Sequence, residues 1–180
     1  MSFKNTEYQL KNYINDIFIE TGTYYGETAK IATNLGFKKV ITIELQDHLQ
    51  KIAKEKCNNL KIDFHLGDSP IILSEILPKI DSKITFWLDA HMDGCNIIPN
   101  VTPDIRKCPL IEELSVIKNH HRNDHTIIID DVRLFSVNGC WGENITISNI
   151  IETIKNINSN YKISYIDGYV SDDIIVAQLL

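Results

Sequence analysis

The chain has 180 residues, of which 43% are apolar, and its formal net charge is -6. This length and apolar content predict a single domain, residues 1–180, with its own hydrophobic core. A negatively charged chain does not attract a phosphate backbone, so we do not expect it to bind nucleic acid. No stretch approaches the roughly 20 apolar residues of a membrane span, and the N-terminus lacks the apolar core of a signal peptide. The few cysteines are too scattered for a disulfide framework, which suits a reducing compartment. Together these features lead us to expect a soluble, cytoplasmic protein without a membrane partner.

Short apolar runs alternate with segments of helical spacing along most of the chain. The runs are rich in β-branched residues and do not alternate with polar ones, as in strands buried on both faces. They cover residues 17–20, 39–45, 62–66, 84–88 and 126–129. The helical segments carry apolar residues three or four positions apart and cover residues 28–35, 47–56, 71–77 and 110–119. This alternation predicts a doubly wound parallel sheet with right-handed crossovers.

The C-terminal part departs from this alternation. A helical segment at 147–157 is followed by two strand-like runs, 161–166 and 174–180. The polar link 167–173 is too short to hold a crossover helix, so the two runs should form an antiparallel hairpin at one edge of the sheet. The predicted fold class is therefore α/β, Rossmann-like, with a doubly wound seven-stranded mixed sheet that ends in a C-terminal antiparallel hairpin.

Acidic residues stand at or just after the ends of five successive predicted strands. They are Glu20, Glu44, Asp68, Asp89, and the pair Asp130 and Asp131. In doubly wound sheets, ligands bind beyond the carboxyl ends of the strands, so these side chains should lie along one binding rim. The alternative is that each acid caps the following helix or pairs with a nearby cation such as Lys107 or Arg133.

The turn after the first strand reads Glu20-x-Gly22-x-x-x-Gly26. Gly22 can adopt backbone conformations closed to other residues, and Gly26 permits a close approach of the next helix or of a ligand. Glu44 ends the second strand roughly 20 residues later, where an acid can accept both hydroxyls of a ribose. Asp68 and Ser69 follow the third strand, where an adenine edge would lie. Together these residues predict an adenosine site.

On these motifs the chain resembles the class I S-adenosylmethionine-dependent methyltransferases, and most closely the metal-dependent catechol O-methyltransferase type. That type is similar in its Glu-x-Gly-x-Tyr-x-Gly turn, in an acid that ends strand two, and in a Gly-x-Ser after strand three. The matching residues here are Glu20, Gly22, Tyr24, Gly26, Glu44, Gly67 and Ser69. The resemblance covers nearly the whole chain, including the terminal hairpin.

The resemblance implies which residues bind the cofactor. Glu44 would bind the ribose, and Asp68 and Ser69 would approach the adenine. The turn that contains Glu20, Gly22, Tyr24 and Gly26 would pack against the methionine portion, with Asp89 also in the cofactor site.

A second set of acids predicts a metal site. Hard cations such as Mg²⁺ favour oxygen ligands, and Asp89, Asp130 and Asp131 end adjacent strands. In the catechol type, an Asp after strand four and an Asp-Asn pair after strand five hold the metal, and these positions match Asp89, Asp130 and Asp131. Metal coordination would lower the pKa of a substrate hydroxyl, which predicts O-methylation of a small molecule; the acid-rich rim favours a sugar or polyol.

The chain departs from the catechol type at the position of the catalytic lysine, which is Met92 here. His91 is the nearest candidate for the catalytic base, because its ordinary pKa of about 6.5 suits proton abstraction. Asp89 is the second predicted catalytic residue. A histidine with a purely structural role is the alternative. Only about 16 residues precede the first strand, so the acceptor pocket would be open, completed by the loop at 92–108, or closed by a second subunit of a homodimer.

Three other interpretations remain open at this stage. The missing lysine and the short N-terminus would also suit a non-catalytic adenosyl-ligand-binding protein or subunit. The stretch from Trp87 to Asp93 resembles the Asp-Ala-His-x-Asp motif of arginase-like hydrolases, although the rest of their motif set is missing. A zinc site would need His91 with Cys95, Cys108 and Cys140, whose spacing lacks a close Cys-x-x-Cys pair.

Overall fold

The computed structural model describes residues 4–91, 108–135 and 145–179 of the chain. The strands are β1 (Ile17–Thr21), β2 (Lys39–Glu44), β3 (Ile62–Leu66), β4 (Ile84–Leu88), β5 (Thr126–Ile129), β6 (Lys162–Ile166) and β7 (Ile174–Gln178). The helices are α1 (Lys4–Leu10), α2 (Glu27–Leu35), α3 (Asp47–Lys56), α4 (Ser69–Ile76), α5 (Leu110–Lys118) and α6 (Ile147–Ile157). Short 3-10 turns follow α4 and β5, at Leu77–Lys79 and Val132–Leu134.

The strands form one seven-stranded sheet in the order β3-β2-β1-β4-β5-β7-β6. Strands β1 to β5 are parallel, whereas β7 runs antiparallel to both β5 and β6. The predicted mixed sheet and its terminal hairpin are therefore confirmed. The chain direction across the sheet reverses between β1 and β4, and a reversal of this kind opens a crevice beyond the strand ends.

Helices cover both faces of the sheet, as a mostly parallel sheet requires. On one face, Leu73 of α4, Leu114 of α5 and Ile154 of α6 join a large buried cluster. On the other face, Leu10 of α1 and Ala32 of α2 belong to a second cluster that includes Phe18 and Trp87. The central strands β4 and β5 are buried on both faces and read as continuous apolar runs, which made them recognisable in the sequence. The expectation of a run without alternation was wrong for β3, an edge strand that is partly exposed and alternates apolar with polar residues.

Helix α1 was not among the predicted elements. Its Gln9 side chain donates a hydrogen bond to the carbonyl of Asp167, at 2.6 Å, which ties the helix to the link between β6 and β7. Further along, Asn15 donates to Thr85 Oγ1 at 2.9 Å and to Thr126 Oγ1 at 3.1 Å, which fixes the segment to the start of β4 and β5. The segment before β1 thus runs along the sheet from the hairpin turn to its opposite end.

Within the described residues, every helix is too short or too polar to cross a lipid bilayer.

Candidate active site

The carboxyl ends of β2, β1, β4 and β5 stand side by side, and they carry the predicted site residues. The pairing of these strands continues just beyond their ends, because Asp89 N donates to the Thr21 carbonyl at 3.1 Å and Asp130 N donates to the Leu88 carbonyl at 3.3 Å. The predicted rim is therefore present, with the turn after β1 between the Glu44 side and the aspartate side.

The turn after β1 needs its glycines. Gly22 has a φ of +84°, and a Cβ there would lie 2.4 Å from the carbonyl oxygen of Asp89. Gly26 has a φ of +80°, and a Cβ there would lie 3.1 Å from Cys57 Sγ on the neighbouring helix. Gly22 thus allows the turn to pack on the end of β4, and Gly26 allows α2 to approach the end of α3.

Glu44 is buried and held by the backbone at both oxygens. Its Oε2 accepts a hydrogen bond from Tyr24 N, and its Oε1 accepts one from Gln46 N, each at 2.9 Å. A carboxylate oxygen can accept more than one hydrogen bond, so Glu44 retains capacity for a ligand with two hydroxyls. Leu45 and Leu66 lie next to Glu44 along the chain and across the sheet, and they are 57% and 45% exposed. A fixed acid therefore stands beside exposed apolar surface.

Glu20 lies beneath the turn and is buried. Thr42 Oγ1 donates to Glu20 Oε2 at 2.6 Å, and because its proton is used there, Thr42 accepts the hydrogen bond that joins it to Thr23 Oγ1, also at 2.6 Å. Burial raises the pKa of Glu20 to about 8, against the lowering effect of the bond from Thr42. At neutral pH this carboxyl is mostly protonated.

Ser69 occupies the first position of α4, and its hydroxyl hydrogen-bonds to the carboxylate of Glu113. Glu113 is buried on α5 and was not among the predicted site residues. Gly67 N donates to the Glu44 carbonyl at 2.8 Å, so the turn after β3 is attached to the end of β2. Asp68 lies in this turn and is partly exposed. The roles of Asp68 and Ser69 near an adenine remain predictions.

Acidic and basic side chains alternate across the ends of β4, β5 and β7. His91 Nε2 lies 3.0 Å from Asp89 Oδ1 and 2.8 Å from Asp131 Oδ2. Arg133 forms ion pairs with both Asp131 and Asp173. Burial by itself would lower the pKa of His91, but its hydrogen bonds with Asp131 and Asp89 raise that pKa to about 10. The pairing of an acid with Arg133 was the alternative that the sequence offered, whereas Asp173 was missed as a member of this set.

The acidic side chains of this region and His91 form two groups. Within each group, the donor oxygen or nitrogen atoms lie within 4.8 Å of one another. The first is Asp89, His91 and Asp131, and the second is Asp130, Asp131 and Asp173. The predicted metal trio is thus divided between two groups in the described part of the chain. Asp89 shares its group with His91, and Asp130 shares its group with Asp173.

The charges in this region suit an added cation. Four carboxylates face two cationic side chains, His91 and Arg133. Burial and the nearby charges of Asp89 and Asp131 raise the pKa of Asp130 to about 8. Burial also tends to raise the pKa of Asp131, but His91 and Arg133 lower it below its ordinary value. The carboxyl groups outnumber the two cations of this region. Their oxygen atoms and the imidazole of His91 are donors that fit a divalent cation.

Several predictions concern residues outside the described part of the chain. These are Met92 at the lysine position, Cys95, Cys140 and most of the loop at 92–108. Cys108 is described and buried, and its burial raises the pKa of the thiol to about 12, which opposes formation of the thiolate that zinc requires.

No protein-family model and no curated protein sequence matches the chain. Solved structures do match it. The SAH-bound methyltransferase PaMTH1 of Podospora anserina is 10% identical with a TM-score of 0.64, and the match covers 99% of this chain and 77% of that one. The O-methyltransferase of Bacillus cereus in complex with SAH is 14% identical with a TM-score of 0.64, and the match covers 99% and 80%.

A third structure leads to the same fold. The O-methyltransferase TomG of Streptomyces achromogenes, involved in tomaymycin synthesis and solved in complex with SAM, is 12% identical with a TM-score of 0.58. That match covers 98% of this chain and 78% of TomG. At such identities the likeness concerns the fold, which is the one that the sequence resemblance implied. The chain therefore has the fold of the class I S-adenosylmethionine-dependent methyltransferases.

Proposed function

We propose that this protein is an S-adenosylmethionine-dependent O-methyltransferase that methylates a hydroxyl of a small molecule with the help of a divalent cation. One observation carries the proposal. The fixed carboxylate of Glu44 and the group of Asp89, His91 and Asp131 lie at neighbouring strand ends, on opposite sides of the turn at Gly22. A cofactor site and a site for the reacting oxygen would thus be adjacent.

The first half of the site suits the adenosyl cofactor. Glu44 would accept hydrogen bonds from both ribose hydroxyls, and the exposed side chains of Leu45 and Leu66 would contact the adenine. Asp68 and Ser69 are proposed to lie at the adenine edge. The turn from Gly22 to Gly26 would face the methionine portion. The similar proteins whose structures contain SAM or SAH support this assignment.

The second half of the site suits the methyl acceptor. Methyl transfer forms a carbon–oxygen bond while the carbon–sulfur bond of the sulfonium breaks, so the sulfur keeps the electron pair and the hydroxyl loses its proton. A divalent cation, with Mg²⁺ as the ion expected from the sequence, would lower the pKa of that hydroxyl. Asp89 and Asp131 are proposed to hold it, and Asp130, the third member of the predicted trio, lies beside Asp131. Asp89 lies against the glycine turn, so it would also orient the acceptor towards the cofactor.

The same acidic rim supports a sugar or polyol as the acceptor. Carboxylates accept hydrogen bonds, and a polyol offers several donors close together. A phosphorylated or carboxylated acceptor would instead be repelled by Asp89 and its neighbours.

A non-catalytic adenosyl-ligand binder is the second candidate. It is favoured by one observation: His91 and Arg133, the cationic side chains of the rim, are engaged by carboxylates. Such a protein would bind the cofactor with the same residues but would form no methylated product.

The test is calorimetry with S-adenosylmethionine and SAH on the wild type, Glu44→Ala and the control Glu55→Ala, which changes an exposed acid on α3. Loss of hydrogen bonds to a charged group costs about 1.5–3 kcal/mol each, so loss of the two ribose bonds in Glu44→Ala should weaken cofactor binding by roughly 100-fold or more, whereas Glu55→Ala should not. Equal affinities for all three proteins would refute the adenosine site.

The catalytic part of the proposal has its own measurement. Label from methyl-labelled S-adenosylmethionine should appear in a polyol, methyl glycoside or catechol when Mg²⁺ or Mn²⁺ is present. Asp131→Asn should abolish that transfer and spare cofactor binding. Cofactor binding without transfer to any of these acceptors would favour the non-catalytic candidate.

A further inference from the structure

We propose that His91 is a metal ligand, which coordinates the cation through Nε2 together with Asp89 and Asp131, and that the site therefore prefers Mn²⁺ over Mg²⁺. The inference rests on the proposed function in one respect only, namely that this rim binds a cation. It changes the role of His91 from the predicted base to a ligand, and it replaces Asp130 in the predicted trio.

The spacing of the three donor atoms carries the inference. His91 Nε2 lies 3.0 Å from Asp89 Oδ1 and 2.8 Å from Asp131 Oδ2. Ligand atoms at about 2.1 Å from a cation, with bonds at right angles, stand roughly 3 Å apart. One nitrogen thus faces two carboxylate oxygens at the distances found along the edges of an octahedral site. The oxygens of Asp89 and Asp131 lie within 4.8 Å of each other, so the three atoms can converge on one ion.

The backbone explains why these side chains converge. Asp89 and His91 are separated by one residue, and His91 N donates to the Asp89 carbonyl at 3.1 Å, in a tight turn directly after β4. Asp131 has a φ of +62° and leaves β5 in the left-handed region, which is costly for a residue other than glycine. The backbone at the ends of β4 and β5 therefore brings the three side chains together. The side chain of His91 is only 10% exposed.

The second acidic group is less suitable for the ion. There the guanidinium of Arg133 already bridges Asp131 and Asp173. Arg133 keeps its charge under all ordinary conditions, so a cation would have to displace it. The same ion pair holds Asp131 in place and leaves its Oδ2 directed at His91. Asp130 then lies beside the first group without having to be a ligand.

The donor set determines which cation is preferred. Mg²⁺ selects oxygen ligands, whereas an imidazole nitrogen suits the first-row transition metals such as Fe²⁺ and Ni²⁺. Mn²⁺ begins that series and shares the oxygen preference of Mg²⁺, but it accepts a nitrogen donor among oxygen ligands more readily than Mg²⁺ does. A site of two carboxylates and one imidazole keeps open positions for the hydroxyl of the acceptor. Because Nε2 is the atom that faces the carboxylates, it cannot both bind the metal and accept the substrate proton.

The test uses electron spin echo envelope modulation of Mn²⁺ added to the metal-stripped full chain. The wild type should show modulation from a coordinated ¹⁴N nucleus, and His91→Asn should not. The control His48→Asn, which changes an exposed histidine on α3, should retain the modulation. In calorimetry, the wild type should bind Mn²⁺ about tenfold or more tightly than Mg²⁺, and His91→Asn should lose most of that preference.

If His91→Asn does not fold, wild type labelled with ¹⁵N-histidine shows whether a histidine coordinates, since coordination then replaces the ¹⁴N pattern with that of ¹⁵N. His91 is the histidine of the two acidic groups in the described residues. Mn²⁺ bound without nitrogen modulation, modulation that persists in His91→Asn, or no binding of either cation would overturn the inference. S-adenosylmethionine binding is measured in the same samples without metal. If S-adenosylmethionine binds but Mn²⁺ shows no nitrogen modulation, the proposed cofactor site stands and only the ligand role of His91 is rejected.

Discussion

Glu20 should make the stability of this protein depend on pH in an unusual direction. Its carboxyl is buried under the glycine turn, and burial raises its pKa from 4.5 to about 8. Between these two values the folded protein holds a proton that the unfolded chain has lost. The contribution of Glu20 to the free energy of unfolding is therefore fully present below pH 4.5 and is lost as pH rises towards 8.

The magnitude follows from the slope of this linkage, which is about 1.4 kcal/mol per pH unit for one proton. From about pH 5.5 to about pH 7.0 the loss should be about 2 kcal/mol. Glu20→Gln keeps the shape of the protonated acid and an oxygen that can accept from Thr42, but it cannot ionise. Urea denaturation of both proteins at several pH values gives the difference between their free energies of unfolding.

That difference cancels the titration of all other groups, which the two proteins share. We expect the wild type to lose about 2 kcal/mol relative to Glu20→Gln over this range. Parallel curves would mean that Glu20 is ionised in the folded protein, and the account of its burial would be wrong.

Two further predictions concern the turn after β1 and the buried His125, which directly precedes β5 and accepts a hydrogen bond from Ile84 N at the start of β4. Gly22→Ala should lower the melting temperature more than Gly36→Ala. Both glycines have a positive φ, but of the two only Gly22 has backbone in the place of a Cβ. Equal shifts in melting temperature would contradict the packing of Gly22 on Asp89. Burial lowers the pKa of His125 to about 4, so its contribution to stability should be lost as pH falls below about 6.5, by about 2 kcal/mol between about pH 6.5 and about pH 4.5 relative to His125→Asn. Denaturant titrations would test this, and a wild type that loses no more stability than His125→Asn would refute it.

The sequence predicted the sheet well because burial on both faces leaves a local trace. Strands β4 and β5 are buried at every position, and their bounds are those of the apolar runs. Helix α1 left no such trace, since it has seven mostly polar residues and only Leu10 reaches the core cluster. Its position depends on the bond between Gln9 and the distant Asp167, which no local pattern encodes.

The rim could be predicted because parallel strands bring their carboxyl ends to one edge. The partners of the rim residues could not, because they come from distant parts of the chain. Glu113 is 44 residues from Ser69, and Asp173 is 40 residues from Arg133. A buried acid needs a hydrogen-bond donor or a cation, so partners for Glu113 and Asp173 could have been expected once their burial was known.

The ion pairs of the rim link the proposed metal site to the hairpin turn between β6 and β7. Asp173 accepts from Tyr169 N at 3.1 Å and from Arg133 N at 3.0 Å, and the Arg133 guanidinium lies 4.9 Å from the centre of the Tyr169 ring. Tyr169 is 72% exposed. Because Arg133 also pairs with Asp131, one cationic side chain contacts both the proposed metal site and this aromatic ring. We therefore expect the hairpin turn to contact the acceptor, so that acceptor choice can change through Tyr169 while the cofactor half of the site stays the same.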